Sequence, residues 1–248
     1  MTKTLSSSGP PAEITSWSEA FEEATPIEIL AWASNEFKTK LTFATGFGAE
    51  GCVLIDLIGR YHLPVDIFTL DTGLLFPETY NLWRRLEDQY KIVIRGVSPA
   101  LTVDKQTSRH GPELWSRKPD ECCEIRKLSP LFLELSSFDA WVTAIRRDQT
   151  PDRADAPVVG WDKKFNLVKL NPLVRWSRKD VWAYLLRNKV PYNPLHDQGY
   201  PSIGCRPCTS SVSGSEEERA GRWRDLNKTE CGLHTVQATS TTGSPERR

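Results

Sequence analysis

Short apolar segments alternate with segments of helical periodicity along most of the chain. Four apolar runs, at residues 41–45, 65–70, 91–97 and 140–145, predict β-strands. Amphipathic patterns at 16–19, 26–37, 52–61 and 77–90 predict helices, and Pro77 is suitably placed in a first helical turn. Strands that alternate with helices predict an α/β fold with a doubly wound, mostly parallel sheet.

The C-terminal half continues the pattern with less regularity. Residues 167–170 predict an edge strand, and residues 177–189 predict a helix with Ser177 as its N-cap and Asp180 in its first turn. The Pro- and Gly-rich residues 190–209 predict a long ordered loop. Residues 235–248 are rich in Ser and Thr without periodicity, and we expect them to be mobile.

Composition and charge restrict the class of protein. The chain has 248 residues, 39% of them hydrophobic and 26% charged, which is typical of a globular protein. Lys plus Arg equals Asp plus Glu at 32 each, so net charge gives no reason to expect nucleic-acid binding. The N-terminus lacks an apolar signal region and no run is long enough to span a bilayer, so we expect a cytoplasmic protein without a membrane partner.

One crevice is expected at the carboxyl ends of the strands, where a doubly wound sheet binds its ligands. The loops that begin at Thr45, Leu70 and Ile145 should surround it. The Gly-rich residues 45–51 lead into a helix, so they either hold a phosphate or sulfate or form only a tight strand–helix turn. The basic residues of 146–153 cluster at a strand end, and guanidinium groups there suit a multiply charged oxyanion.

The cysteines suggest two chemistries. An adjacent pair and a later Cys-x-x-Cys pair have the composition of a soft metal site, which needs about four thiolates; they are Cys122, Cys123, Cys205 and Cys208. Cys231 stands alone on a polar segment with basic residues nearby, a setting that lowers a thiol pKa and favours a nucleophile. Cys52 lies within an apolar helical pattern and is expected in the core.

Several long motifs resemble one enzyme family. They occupy residues 121–127, 141–153, 192–209 and 230–234, together with Asp71-Thr72-Gly73 and residues 76–80. In these segments the chain resembles the thioredoxin-dependent assimilatory adenylyl-sulfate (APS) reductases of the APS/PAPS reductase family. The resemblance runs from about residue 45 to residue 234. It implies an adenine nucleotide alpha hydrolase-like, Rossmann-like domain over residues 1–209 and a C-terminal tail, residues 210–248, that carries the catalytic cysteine.

The resemblance also implies a reaction and its residues. Cys231 would attack the sulfur of APS, release AMP and keep a thiosulfonate, from which thioredoxin frees sulfite for sulfate assimilation and cysteine biosynthesis. One 4Fe-4S cluster would be held by Cys122, Cys123, Cys205 and Cys208. The positions that match the family's substrate contacts are Thr45, Gly46, Leu70, Lys127, Arg153, Arg219 and Arg222. Ala144 stands where the family usually has Gly, which puts close approach of the adenosine in doubt.

Other interpretations stay open at this stage. The four cysteines would also suit a structural zinc, although two adjacent residues are awkward ligands for one tetrahedral ion. An enzyme that reduces the 3'-phosphorylated nucleotide PAPS is a second hypothesis, and a nucleotide-binding regulator with a structural metal is a third. His234 is either a proton donor or a polar neighbour of Cys231. We expect a homo-oligomer whose tail acts as a lid and whose resolving thiol comes from thioredoxin.

Overall fold

A six-stranded sheet forms the centre of the molecule. The computed structural model describes residues 12–214, 216–224, 226, 228 and 232. Its strands are β1 (Leu41–Thr45), β2 (Asp66–Leu70), β3 (Ile94–Val97), β4 (Ala140–Val142), β5 (Val159–Asp162) and β6 (Leu167–Leu170). They lie in the order β3-β2-β1-β4-β6-β5, and every neighbouring pair is parallel except β5 with β6. The prediction of a doubly wound, mostly parallel sheet is confirmed.

Helices connect and cover the strands. They are α1 (Glu13–Phe21), α2 (Pro26–Phe37), α3 (Ala49–Arg60), α4 (Pro77–Tyr90), α5 (Val103–His110), α6 (Leu114–Arg117), α7 (Pro119–Cys123), α8 (Ser129–Leu135) and α9 (Arg178–Asn188). A π-helical turn, Glu124–Leu128, joins α7 to α8. The predicted cap of α9 is confirmed, because Ser177 and Asp180 form a reciprocal capping box.

One strand prediction was wrong in its position. Leu167–Leu170 does form a strand, but it lies inside the sheet between β4 and β5. The edge belongs to β5, which pairs antiparallel with β6 through a turn in which Asn166 has a φ of 57°. The sequence of β5, Val-Gly-Trp-Asp, has neither the length nor the apolar alternation by which a strand is recognised.

The main hydrophobic core lies between the sheet and helices α2, α3, α4 and α9. Helix α3 is buried over nearly its whole length, from Ala49 to Gly59. Cys52 is 0% exposed within it, as predicted for a core residue, and burial raises the pKa of its thiol. A smaller core cluster packs α8 against the sheet, where Leu131 and Leu135 contact Phe68 and Trp141.

Residues after the last helix pack back onto the loop that precedes them. Thr209 and Arg222 form an antiparallel bridge, and the Val212 amide donates to the Gly199 carbonyl at 2.8 Å.

The domain boundary at residue 209 remains a prediction. Cys231, His234 and the predicted mobile tail lie outside the described residues. No helix in the described ranges is long and apolar enough to cross a membrane.

Candidate active site

Three strand ends meet at one edge of the sheet, as the sequence predicted. Strands β2, β1 and β4 are adjacent and parallel, so Thr45, Leu70 and the residues after Val142 lie at the same edge. The chain leaves β1 toward β2 on one side and reaches β4 on the other. This is a topological switch point, where the crevice of an open α/β sheet forms.

The loop after β1 is a tight strand–helix turn. Thr45 Oγ1 accepts a hydrogen bond from the Phe47 amide at 3.1 Å, and Phe47 has a φ of 58°. A Cβ atom at Gly51 would lie 2.8 Å from Thr45 Oγ1, so the glycine lets the first turn of α3 approach the end of β1. A Cβ at Gly46 would have no atom within 4 Å, so the space beside this residue is open.

The four paired cysteines line one small cavity. Cys122 and Cys123 come from α7. Far along the chain, Cys205 caps and Cys208 ends a 3₁₀ turn, Arg206–Cys208. The cavity is lined by Leu74, Trp115, Pro119, Cys122, Cys123, Arg126, Lys127, Cys205 and Cys208. Two distant segments therefore bring their thiols together just beyond the end of β2, with Lys127 beside them.

Polar side chains behind the cavity hold its walls. Thr72 Oγ1 lies 3.3 Å from Cys205 Sγ, and Gln106 Nε2 donates to Cys122 Sγ at 3.7 Å. Buried Arg126 connects these two residues, since its Nε donates to the Thr72 carbonyl at 2.5 Å and its Nη1 to Gln106 Oε1 at 3.0 Å. Hydrogen bonds of this kind fix the orientation of sulfur ligands around a metal centre.

The electrostatics of the cavity oppose free thiolates. Burial raises the pKa of Cys122, and burial followed by the charge of Cys205 raises the pKa of Cys208 to about 11, against an opposing effect of Lys127. Four thiolates in this space therefore need a cationic centre to compensate them. In the described part of the chain no three or more Cys, His, Asp or Glu side chains are arranged as ligands of one metal ion, so a centre at the four thiols is inferred from their shared cavity and their donor chemistry.

Three cations surround the Trp223 ring next to this cavity. Arg222 Cζ lies 4.4 Å from the ring centroid, Lys228 Nζ lies 5.3 Å from it and Lys127 Nζ 6.0 Å. The Trp223 amide donates to the Cys208 carbonyl at 3.1 Å, which ties the ring to the cysteine segment. Positive charge is thus gathered beside the four thiols.

Two contacts anchor the chain on either side of Cys231 in the sequence. Lys228 pairs with Asp120 of α7, two residues before Cys122. The Gly232 carbonyl accepts from Lys164 Nζ at 2.8 Å, and a Cβ at Gly232 would lie 3.4 Å from Leu128 Cδ1. Cys231 itself is not among the described residues, so its predicted role stays a prediction.

The remaining predicted arginines lie in different surroundings. Arg219 Nη1 donates to Ser202 Oγ at 3.5 Å. Arg222 packs so closely against Gly204 that a Cβ there would be 2.3 Å from its Nη2. Arg153 is buried, donates to Gln149, and lies near Lys169, whose pKa is lowered by burial more than by the Arg153 charge.

Comparison with known proteins identifies the family. Residues 40–211 match the phosphoadenosine phosphosulfate reductase domain. The chain is 47% identical over 211 residues to adenosine 5'-phosphosulfate reductase 1 of Bacillus subtilis, covering 84% of this chain and 90% of that protein. It is 48% identical over 209 residues to the adenosine 5'-phosphosulfate reductase of Oceanobacillus iheyensis, covering 84% and 87%.

This chain belongs to the phosphoadenosine phosphosulfate reductase family. A solved structure agrees with the assignment. The phosphate complex of phosphoadenylyl-sulfate (PAPS) reductase from Candida auris superposes with a TM-score of 0.72 at 32% identity, over 83% of this chain and 98% of that one.

Within this family member, part of the basic run after β4 pairs with carboxylates of the chain itself. Arg146 is fully buried and pairs with Glu50, Asp148 and Glu218, while Arg147 forms a two-pronged ion pair with Glu22. The prediction that the whole cluster suits an oxyanion was therefore wrong for these two arginines. Both arginines form ion pairs with carboxylates of the chain itself, and the composition of the segment does not reveal these pairs.

Sequence reasoning missed the residues that support the cysteines. Thr72 and Arg126 lie inside the recognised motifs but were assigned no role, and Trp223 was not singled out. Gln106 has no recognisable signal in the sequence, because its contact with Cys122 depends on how α5 packs against α7.

A larger cavity of the structure is not the candidate site. It has a volume of about 510 Å³ and lies between the start of α2, the end of α3 and α9. Its walls include Pro26, Leu57, Tyr184 and Asn188, and they contain none of the predicted site residues. The site is therefore assigned from its chemistry and not from cavity size.

Proposed function

We propose that this chain is an oxidoreductase that reduces adenylyl sulfate to sulfite and AMP with thioredoxin as the electron donor. The observation that carries the proposal is the meeting of four thiols from two distant segments beside Lys127 and the cations around Trp223. The family match and the 44–48% identity to proteins named adenosine 5'-phosphosulfate reductase support it.

The proposed reaction begins at Cys231. Its thiolate forms a bond to the sulfur of APS, the bond from that sulfur to the bridging oxygen breaks, and AMP leaves with the electron pair. A thiolate that approaches a sulfonate meets like charge, so cations must first neutralise the anionic oxygens. Arg219 and Arg222 are proposed for this role, with Lys127 and Arg153, while Thr45, Gly46 and Leu70 contact the nucleotide.

The two thiols of thioredoxin complete the cycle. One thiolate of thioredoxin attacks the Cys231 sulfur, sulfite leaves with the electron pair of its bond to that sulfur, and the second thioredoxin thiol then displaces Cys231. Two electrons thus pass from the thioredoxin dithiol to sulfur, and a thioredoxin disulfide remains. Cys52 is unsuited to this step because it is fully buried and burial raises its thiol pKa.

Cys122, Cys123, Cys205 and Cys208 would hold one 4Fe-4S cluster. The fit rests on four soft donors around one cavity and on buried thiols that need a compensating cationic centre. Bound there, the cluster would supply an electrostatic influence near Lys127, and the cycle needs no net redox change at it. A single structural zinc remains the competing assignment of the same thiols.

The proposal includes a cellular setting. Four closely placed reduced cysteines suit the cytoplasm, where glutathione and thioredoxin keep thiols reduced. The reaction would serve sulfate assimilation and cysteine biosynthesis. We retain a homo-oligomer and a reductase domain over residues 1–209, followed by a catalytic tail over 210–248, as parts of the proposal.

PAPS reduction is the alternative. It is supported by the 32% identity to the PAPS reductase of Candida auris, which covers 98% of that chain. The higher identity to several APS reductases makes APS the favoured substrate.

The decisive experiment compares the two nucleotides. Protein purified without oxygen, with its iron, acid-labile sulfide and zinc quantified, is supplied with thioredoxin and either APS or PAPS. We expect a brown protein with four irons per chain and a higher kcat/KM for APS. Equal or faster turnover of PAPS would reverse the substrate assignment. A colourless protein with stoichiometric zinc would reject the cluster.

A further inference from the structure

Arg146 is a fully buried arginine whose guanidinium meets three carboxylates. Its Nε donates to Glu50 Oε1 at 2.8 Å, its Nη1 pairs with Asp148, and its Nη2 lies 3.6 Å from Glu218 Oε2. Its side chain is only 1% exposed. A buried charge is tolerated only when its partners are well placed, so each of these carboxylates constrains the segment that carries it.

Two of the three carboxylates, Glu50 and Glu218, belong to different segments of the proposed site, whereas Asp148 lies two residues after Arg146 itself. Glu50 lies in the first turn of α3, directly after the loop that contains Thr45 and Gly46. Glu218 immediately precedes Arg219, in the segment that bridges back to Thr209 through Arg222. Arg146 therefore joins the loop that contains Thr45 and Gly46, called the nucleotide loop below, to the segment that carries the proposed sulfonate-binding residues Arg219 and Arg222.

Without this guanidinium the two segments would repel each other. Glu50 and Glu218 both meet this one guanidinium, so their carboxylates are neighbouring like charges. Burial, and then the charge of Glu50, raise the pKa of Glu218. Arg146 opposes that effect. A planar fork with donors in several directions can bond carboxylates on different sides at once, whereas a lysine ammonium is a compact point charge.

We propose that Arg146 is a positioning residue that sets the place of Arg219 relative to the nucleotide loop. The inference deepens the proposed function and rests on it. Arg146 does not touch the substrate in this account, because its nitrogens face carboxylates of the chain. Its effect on the reaction should pass through Arg219.

The adjacent arginine provides a matched control. Arg147 also forms a close ion pair, but with Glu22 at the end of α1, through Nη1 at 2.6 Å and Nη2 at 3.1 Å. Arg146→Lys and Arg147→Lys therefore make the same chemical change at neighbouring positions. We expect Arg146→Lys to lower kcat/KM for APS about 100-fold, since small misplacement of a binding group has effects of this size. Arg147→Lys should change it less than about threefold.

A double-mutant cycle separates positioning from general damage. In an Arg219→Ala background, Arg146→Lys should lower kcat/KM by no more than about threefold further, because its route to the substrate is already lost. In a Lys127→Ala background it should keep its full effect. An undiminished effect in the Arg219→Ala background, or equal effects of the two lysine variants, would overturn the proposal.

Two further measurements keep the inference testable. Glu218→Gln leaves Arg146 with Glu50 and Asp148, so it tests the same link if Arg146→Lys fails to fold; wild-type kinetics in this variant would refute the proposal. Hydrogen exchange of residues 216–224 should speed up in Arg146→Lys and not in Arg147→Lys. That readout needs no turnover, so it distinguishes failure of the link from a wild-type protein that fails to reduce APS.

Discussion

Gly204 controls the position of the Arg222 guanidinium, and replacing it with Ala should impair catalysis far more than folding. A Cβ at this residue would lie 2.3 Å from Nη2 and 2.6 Å from Cζ of Arg222. Nonbonded heavy atoms pack at about 3.5 Å, so the guanidinium must move by about 1 Å or more. The backbone itself can accept alanine, because Gly204 is not among the residues with positive φ.

The two expected costs differ in size. The atoms that must move are the end of a flexible side chain, so unfolding free energy should fall by about 1 kcal/mol, of which the contact with the Trp223 ring is a part. A lost charge-assisted hydrogen bond to a substrate oxygen costs about 1.5–3 kcal/mol. That corresponds to a decrease in kcat/KM for APS of about 10- to 150-fold.

Steady-state kinetics and a thermal melt on the same preparation test this reasoning. Gly214→Ala is the control, since a Cβ there would meet no atom within 4 Å. In an Arg222→Ala background, Gly204→Ala should have little further effect on kcat/KM. Wild-type kinetics of Gly204→Ala, or a full additional loss in that background, would refute the claim that this glycine acts through Arg222.

Three further substitutions test other parts of the structure. The pKa of Glu218 is raised above 4.5, so its carboxyl favours folding most at low pH and loses that contribution as pH rises through the raised pKa. The melting temperature of Glu218→Gln relative to that of wild type should therefore increase from below pH 4.5 to neutral pH. A difference that stays constant with pH would contradict this. Thr72→Val removes the 3.3 Å contact with Cys205 Sγ, so the visible absorption and iron of the proposed cluster should be lost faster in air than in wild type. Equal rates of loss would exclude a supporting role for Thr72. Asp56 is fully buried and accepts hydrogen bonds from one arginine and two tyrosines. Asp56→Ala should therefore lower the unfolding free energy by about 3 kcal/mol or more and leave the KM for APS unchanged. A loss below about 1 kcal/mol in a denaturant titration would contradict this.

The sheet and most of its helices were predictable because their patterns are local. Strand β1 and helices α2 and α4 begin and end at the predicted residues, since a turn of the chain, an N-cap or a first-turn proline marks each boundary. The order of the outer strands was not predictable from the sequence, because the pairing of β5 with β6 depends on a turn around Asn166 and not on hydrophobic periodicity.

The four cysteines of the site were predictable from the sequence, but the side chains that contact their sulfurs were not. Spacing and resemblance indicated the four thiols, and the structure brings them to one cavity. The contacts of Thr72 and Gln106 with two of those sulfurs join residues 133 and 16 positions apart, respectively, and such contacts leave no pattern in a sequence. The same holds for Arg146, whose partners include Glu50 and Glu218, far from it along the chain.

The central claim is that Cys231 attacks the sulfur of APS, and trapping the covalent product tests it most directly. Protein purified without oxygen is mixed with stoichiometric APS in the absence of any thiol, digested and measured by mass spectrometry, with Cys231→Ser as the control. The account predicts release of AMP and a peptide containing Cys231 that gains the mass of one sulfonate group, which thioredoxin then removes as sulfite. Free sulfite without a thiol donor, or a modification that maps to Cys52, would contradict it.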